Sequence, residues 1–405
     1  MGLKESKPSA KSSAKKTALI LSGGGARGAY QVGVLKGLSE ILSLDDNRFP
    51  FQIISGTSAG AINTAHLACQ DNSFSTSVEK LVYLWAQLTP DQVFKVNLFP
   101  GNSFSLKSLS GFGQILNGRS FNALLDTSPL KKLIESHCDF EMLHKNVKSG
   151  KFDSILITAN NYMKNKAESF VESFDGVGES NLFWSETRRS AIQTKLNADH
   201  VMASSAIPLL FPPIKIGHEV YGDGCVRNHT PCSPSIRMGA EKLFVIGVRT
   251  QKQTEFVAKE NESKATNSDK PESETVSLIR VLNTLLNAVL LDSVEQDVQR
   301  IQRINELVDL ALKNQNTETS ETVSLKKIPA LCISPSANLG EIARSQAHHL
   351  PRLLRMTIGA LGDLDDANEI ISYLMFDKNF CRKLIEIGYN DAFEAKDEII
   401  EFFKE

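Results

Sequence analysis

Long apolar runs are missing from this chain: no window approaches the about 18 uninterrupted apolar residues that a membrane-spanning helix needs. An excess of either charge is missing too. Forty-five Lys and Arg stand against 47 Asp and Glu, a formal net charge of -2. That balance excludes the broad basic field of a nucleic-acid binder and the acidic field that would recruit a basic partner. Cysteine is scarce and scattered, at positions 69, 138, 225, 232, 332 and 381. No Cys-x-x-Cys pair occurs, so no structural zinc signature is present, and the sparse thiols suit a reducing compartment. The start is basic (Lys4, Lys7, Lys11, Lys15, Lys16), but the apolar stretch behind it, Ala18 to Leu21, is too short for a secretory leader. A cytoplasmic protein that meets membranes only at their periphery is expected. What the chain does have is bulk. Its 405 residues are 41% hydrophobic, enough for one large domain, or a domain with an appended one.

Residues 1–16, rich in Ser, Lys and Ala, read as a disordered basic tail. Within it, Gly2 to Ser6 fits the Met-Gly-x-x-x-Ser pattern of N-myristoylation, usable only in a eukaryotic cell. Two copies of one grammar follow. Thr17 to Ser22 reads as a buried strand, Gly23 to Gly28 as a loop, and Tyr30 to Leu42 as a helix; Phe51 to Ser55, Gly56 to Gly60 and Ala61 to Cys69 repeat it. Further strands are expected at 154–158, 168–174 and 243–248, and helices at 77–88, 129–137 and 187–198. Alternating strands and helices imply a parallel sheet flanked by helices. Residues 17–250 form the expected catalytic domain, 251–275 a mobile charged loop, and 276–405 a mainly helical extension packed on that domain. The extension opens with an amphipathic pattern over 276–312, crosses a polar break at 314–324, and continues through a strand at 330–333 to two or three final helices.

Three elements could carry chemistry. Gly56-Thr57-Ser58-Ala59-Gly60 fits Gly-x-Ser-x-Gly between a strand and a helix. In such a turn the flanking glycines avoid clashes, and the serine sits over a helix N-terminus that favours developing negative charge. Gly23-Gly24-Gly25-Ala26-Arg27-Gly28 leaves backbone N–H groups free to converge on an anion. It also satisfies a dinucleotide fingerprint, Gly-x-Gly-x-x-Gly, with Glu40, Asp45 and Asp46 near the position of a ribose-binding acid. A nucleotide-dependent oxidoreductase is therefore the rival reading. The third element is Asp223, flanked by Gly222 and Gly224. A serine nucleophile needs a base, and none of the eight histidines lies in a catalytic signature. Asp223 can act directly on Ser58 if burial makes its carboxylate a better base.

In this order the three elements resemble the patatin-like phospholipase family. Gly23, Gly24, Gly25, Arg27 and Gly28 match its oxyanion loop; Gly56, Ser58 and Gly60 match its nucleophile elbow; Asp223 and Gly224 match its Asp-Gly motif. Ala203-Ser204-Ser205-Ala206-Ile207-Pro208, with Phe211 and Pro212, matches a fourth block, and Asn228 and Pro231 agree as well. Leu285 to Asn305 and Ser372 to Ala392 resemble the downstream region of bacterial members. One departure stands out: Cys225 occupies a position usually held by Gly or Ala. A redox role for Cys225 with Cys232 is the alternative to a small core residue there. The resemblance implies a three-layer α/β fold with a central, mostly parallel sheet. It implies a Ser58–Asp223 dyad that hydrolyses acyl esters of phospholipids, lysophospholipids or neutral lipids. Neither metal nor other cofactor is required, and an alcohol replacing water would make the enzyme a transacylase.

Overall fold

The computed structural model describes residues 15–44, 49–96, 123–174, 184–250, 277–290, 293–313, 326–360 and 362–404. The Gly2 to Ser6 motif, the charged stretch 251–275, the polar break 314–324, and Asp45 and Asp46 lie outside the described residues.

The strands are β1 (Thr17–Leu21), β2 (Ile53–Thr57), β3 (Lys95–Val96), β4 (Leu125–Asp126), β5 (Ser154–Asn161), β6 (Lys166–Ser173), β7 (Arg189–Gln193), β8 (Ile214–Ile216), β9 (Glu219–Asp223), β10 (Lys242–Ile246) and β11 (Ala330–Ile333). The main sheet runs β11-β10-β1-β2-β5-β6-β7, and β3 pairs only with β4. All pairs from β11 to β5 are parallel, as is β6 with β7. The β5–β6, β5–β9 and β8–β9 pairs are antiparallel. The sheet is thus mostly parallel, in a mixed α/β architecture.

Both faces of the sheet are covered, which is why β1 and β10 are apolar without alternation. Leu19, Leu21, Phe244 and Ile246 join the larger core cluster, while Ala18, Ile20, Leu243 and Val245 join the smaller one beneath. The larger layer centres on α1 (Gly28–Leu42) and on the helix Lys378–Glu394. These two helices touch backbone to backbone. A Cβ on Gly33 would lie 2.1 Å from the Ile385 carbonyl oxygen, and one on Gly388 would lie 2.2 Å from that of Tyr30. A buried bond from the Tyr30 hydroxyl to Asp391 Oδ2, 2.9 Å, fixes their register.

Several expectations are corrected. The helix expected over 187–198 is strand β7, because Arg189 to Gln193 find a parallel partner in β6. The helix begins later, at Ala198, where Asn197 Oδ1 accepts the N–H groups of Asp199 and His200. The sheet is mostly parallel, as expected, and its antiparallel part starts where β5 returns through Tyr162 to Asn165 as the hairpin strand β6. The 276–312 pattern holds two helices, Leu278–Leu290 and Ser293–Lys313. After β11 come five α-helices, Leu339–Ser345, Arg352–Gly359, Asn368–Leu374, Lys378–Glu394 and Lys396–Lys404, where two or three were expected.

Candidate active site

The site lies at the carboxyl ends of β1 and β2, where a doubly wound sheet opens its crevice. Leu21 and Gly56 are direct partners, so the loops leaving β1 and β2 start side by side. Ser58 follows β2 and precedes α2 (Ala59–Ala68), with φ 55° and ψ -124°. That left-handed backbone is costly for a non-glycine residue and persists only where its surroundings enforce it. Gly60 is part of the enforcement. A Cβ there would stand 2.1 Å from the Leu21 carbonyl oxygen, and one on Gly56 would stand 2.3 Å from that of Gly60. The fourth sequence block supplies the rest. Ser58 N–H donates to Ser204 Oγ (2.9 Å), Ser204 Oγ donates to the Thr158 carbonyl (2.6 Å), and Ser205 Oγ donates to the Ser58 carbonyl (3.1 Å).

Strand register brings Asp223 to Ser58. Along one side of β5, Thr57 pairs with Thr158 and Asp223 pairs with Ala159, the next residue. β2 and β9 therefore meet head to head on β5, one ending at Thr57 and the other at Asp223. The contact is tight. A Cβ on Gly224 would lie 2.1 Å from the Thr158 carbonyl oxygen, and Asn228 Nδ2 donates to Thr57 Oγ1 (3.1 Å) across the junction.

Asp223 is wholly buried. Its Oδ1 accepts the Cys225 N–H at 2.9 Å, and its Oδ2 has no hydrogen-bond partner among the described residues. Burial pushes its carboxyl up to about 6; the Ser58 hydroxyl and the Cys225 N–H and thiol work against that shift. No histidine is among the groups that act on it. His200, pushed down to about 4 by burial, packs its ring on Phe170 instead.

The glycine loop closes the third side. A Cβ on Gly23 would meet Cys225 Sγ at 2.2 Å and Ser58 Cβ at 2.9 Å, so Gly23 is wedged between the serine and the Asp223 turn. Burial and the nearby Asp223 carboxylate push the Cys225 thiol up, and the Gly23 backbone packed on its sulfur works against that shift. Gly25 has φ +56°, a conformation glycine tolerates without strain. Among the described residues, Gly24 and Gly25 donate their N–H groups to no main-chain carbonyl. Gly28 sits against Ala59 and Trp85 and begins α1. Arg27 is 3% exposed, and its side chain turns to Glu369 and Ser372 rather than to the serine.

Ser58, Asp223, Gly23, Gly24, Gly25, Gly28, Gly56, Gly60 and Gly224 thus converge. Cys225 and Cys232 do not: they belong to opposite faces of the sheet, and both thiols are free. Cys225 adopts no positive φ, so the substitution leaves its turn unstrained. The rival acid Glu40 sits on the last turns of α1 and accepts the Tyr389 hydroxyl at 2.6 Å. Among the described residues no group of His, Cys, Asp and Glu has the arrangement to hold a metal ion. Sequence reasoning missed Glu369, Tyr373 and Asn283, and gave Ser204 and Ser205 no role. A serine pair on the helix behind the elbow was the available signal for the last two.

The structure is similar to VipD from Legionella pneumophila, at 12% identity and TM-score 0.30 over 92% of this chain and 67% of that one. It is also similar to human GIVD cytosolic phospholipase A2, at 12% identity and TM-score 0.40 over 96% of this chain and 60% of that one. The chain thus spans less than two thirds of the human protein. No curated protein matches it in sequence. The family model described as patatin-like phospholipase matches residues 19–236, more than half of the chain; the chain belongs to the patatin-like phospholipase family.

Proposed function

We propose that this protein is a lipid acyl hydrolase of the phospholipase A or lysophospholipase type, acting through a Ser58–Asp223 dyad. The observation that carries the proposal is the buried Asp223 carboxylate, with one oxygen unpartnered, beside a serine held in a strained turn. A carboxylate raised to about 6 is still ionised at neutral pH, yet is a better proton acceptor than an exposed one.

The reaction follows from these groups. Asp223 takes the Ser58 hydroxyl proton as Ser58 Oγ bonds to the ester carbonyl carbon. The carbonyl oxygen becomes an oxyanion, received by the Gly24 and Gly25 N–H groups and aided by the N-terminus of α2. Collapse breaks the ester C–O bond, and the departing alcohol takes the proton from Asp223. Water, deprotonated by Asp223, then attacks the acyl-serine, and Ser58 leaves with that proton. No step requires a metal or another cofactor.

The substrates are amphiphiles, and no described helix is long and apolar enough to cross a membrane. The protein therefore approaches a lipid surface from outside. Leu285 on helix Leu278–Leu290, with Leu307 and Leu310 on helix Ser293–Lys313, exposes apolar side chains suited to that contact. Mass spectrometry of lipids released from mixed phospholipid vesicles, with the Ser58→Ala protein as control, tests the proposal. Free fatty acid that appears with the native protein alone supports it. Equal release by both proteins removes Ser58 from the chemistry, and acyl transfer to an added lipid alcohol in place of free acid identifies a transacylase.

A further inference from the structure

Residues far beyond the family match close on the glycine loop. Arg27 Nε donates to Ser372 Oγ at 2.8 Å, and its Nη2 pairs with the Glu369 carboxylate. The guanidinium lies 5.4 Å from the centre of the Tyr373 ring. The Tyr373 carbonyl oxygen is packed against Gly25 itself, 2.4 Å from where a Cβ would stand. Both members of the ion pair are buried, at 4% and 8% side-chain exposure. Ser372 is held in turn by donating to the Glu369 carbonyl at 2.6 Å.

A buried guanidinium that has lost its carboxylate is expensive, so Arg27 is fixed wherever Glu369 is fixed. Arg27 also ends the short turn Gly25–Arg27, and its own N–H returns to the Gly24 carbonyl at 3.1 Å. Pinning Arg27 therefore pins the Gly24 and Gly25 peptide groups, whose N–H groups meet no main-chain acceptor among the described residues. The helix that carries Glu369, Asn368–Leu374, is anchored by a further element. Asn283 Oδ1, on helix Leu278–Leu290, accepts the N–H groups of Glu369 (3.1 Å) and Ile370 (3.2 Å).

We infer that Glu369 and Ser372 are positioning residues: through Arg27 they hold the Gly24–Gly25 peptides where the oxyanion forms, with Asn283 setting the helix that carries them. The inference rests on the function proposed above. It assigns the C-terminal region a part in the reaction without contact with the substrate. Donors that act on the transition state affect turnover more than binding. Displacing one such donor costs about 10² to 10³ in rate, and a loosened donor costs less.

The test uses the full chain with Glu369→Gln, Glu369→Asp and Asn283→Ala. Turnover is expressed per serine titrated with a fluorophosphonate, so unfolded protein does not count. Glu369→Gln should lose about 10- to 100-fold in kcat with KM unchanged. Glu369→Asp should recover most of it, and Asn283→Ala should show a smaller loss of the same kind. Amide hydrogen exchange across residues 23–28 should rise in step. Native kcat in Glu369→Gln, a loss confined to KM, or a loss accounted for entirely by fewer titratable serines overturns the inference. Unchanged exchange at 23–28 overturns it regardless of chemistry. Raised exchange in Glu369→Gln, with no serine labelled in the native protein, keeps the latch and sinks the Ser58 assignment.

Discussion

The main-chain N–H of Ser58 donates to the hydroxyl of Ser204, 146 residues away, and that hydroxyl donates in turn to the Thr158 carbonyl. A single side chain thus satisfies two buried backbone groups, one at the turn and one on the neighbouring strand. Ser204→Ala leaves both unpaired. The expected outcome is a stability loss of about 1–3 kcal/mol for each group left dry, together with a lower kcat as Ser58 relaxes from its strained turn. Denaturant unfolding and ester kinetics on the same preparation check it; Ser204→Thr should recover part of both.

Replacing Ser58 with Ala should remove esterase activity by about four orders of magnitude while the fold survives. Covalent labelling by a fluorophosphonate should vanish with it. Near-native turnover in this variant would end the nucleophile assignment.

Asp223 has to be ionised to accept a proton, and burial raises its carboxyl from 3.8 to about 6. The acid limb of kcat/KM should therefore fall through about pH 6, close to tenfold per unit below it. Stability carries the opposite sign. Above pH 6 the carboxylate is charged in both states but desolvated only in the fold; below 3.8 it is neutral in both. Its contribution is most favourable at low pH and is lost as pH rises through 6. Asp223→Asn should therefore be inactive yet more stable than the native protein at pH 8, by roughly 3 kcal/mol, with the gain gone near pH 3. A variant equally stable at both ends would show that the burial cost is met elsewhere.

Cys225 Sγ packs on the Gly23 backbone, 2.2 Å from where a Cβ would stand, and the thiol helps hold the Asp223 carboxyl down. Cys225→Ala should open space beside the Gly23 peptide and remove the thiol's influence on Asp223. Turnover should rise several-fold if the relieved Gly23 peptide joins those of Gly24 and Gly25 at the oxyanion, a fraction of the about 10² that a full donor is worth. The acid limb should move to higher pH, because the thiol holds the carboxyl down. A pH titration of both proteins decides, and a drop in turnover would mean that the sulfur serves the reaction.

The residues legible in advance are those whose backbone has no alternative. Gly23, Gly25, Gly56, Gly60 and Gly224 each sit where a Cβ would strike a main-chain or side-chain atom, or where φ is positive, so the need for close approach is written as glycine. β1 and β10 were legible because both their faces are buried. β7 was not: Ala191, Ile192, Leu196 and Ala198 are spaced as on a helix face, and only pairing with β6 reveals the strand. β9 was hidden because Glu219-Val220-Tyr221-Gly222-Asp223 is short and half polar. Its position against β5 is what turns a glycine-flanked aspartate into a neighbour of Ser58. The Arg27–Glu369 pair leaves no local pattern, since in the sequence a charge match across 342 residues is indistinguishable from any other two opposite charges.

That separation sets an order of events during synthesis. All four motif blocks have been made by residue 228, and the sheet gains β11 only at residue 333. The carboxylate that neutralises Arg27 arrives later still, at residue 369. Contacts of such long range form last, after the loop-closure entropy between their ends has been overcome. A chain still on the ribosome therefore carries the serine, the aspartate and the glycines without the charge partner that fixes the loop among them. On the function proposed above, the loop that receives the oxyanion is expected to take its final position only after residue 369 has been made and has folded back onto Arg27.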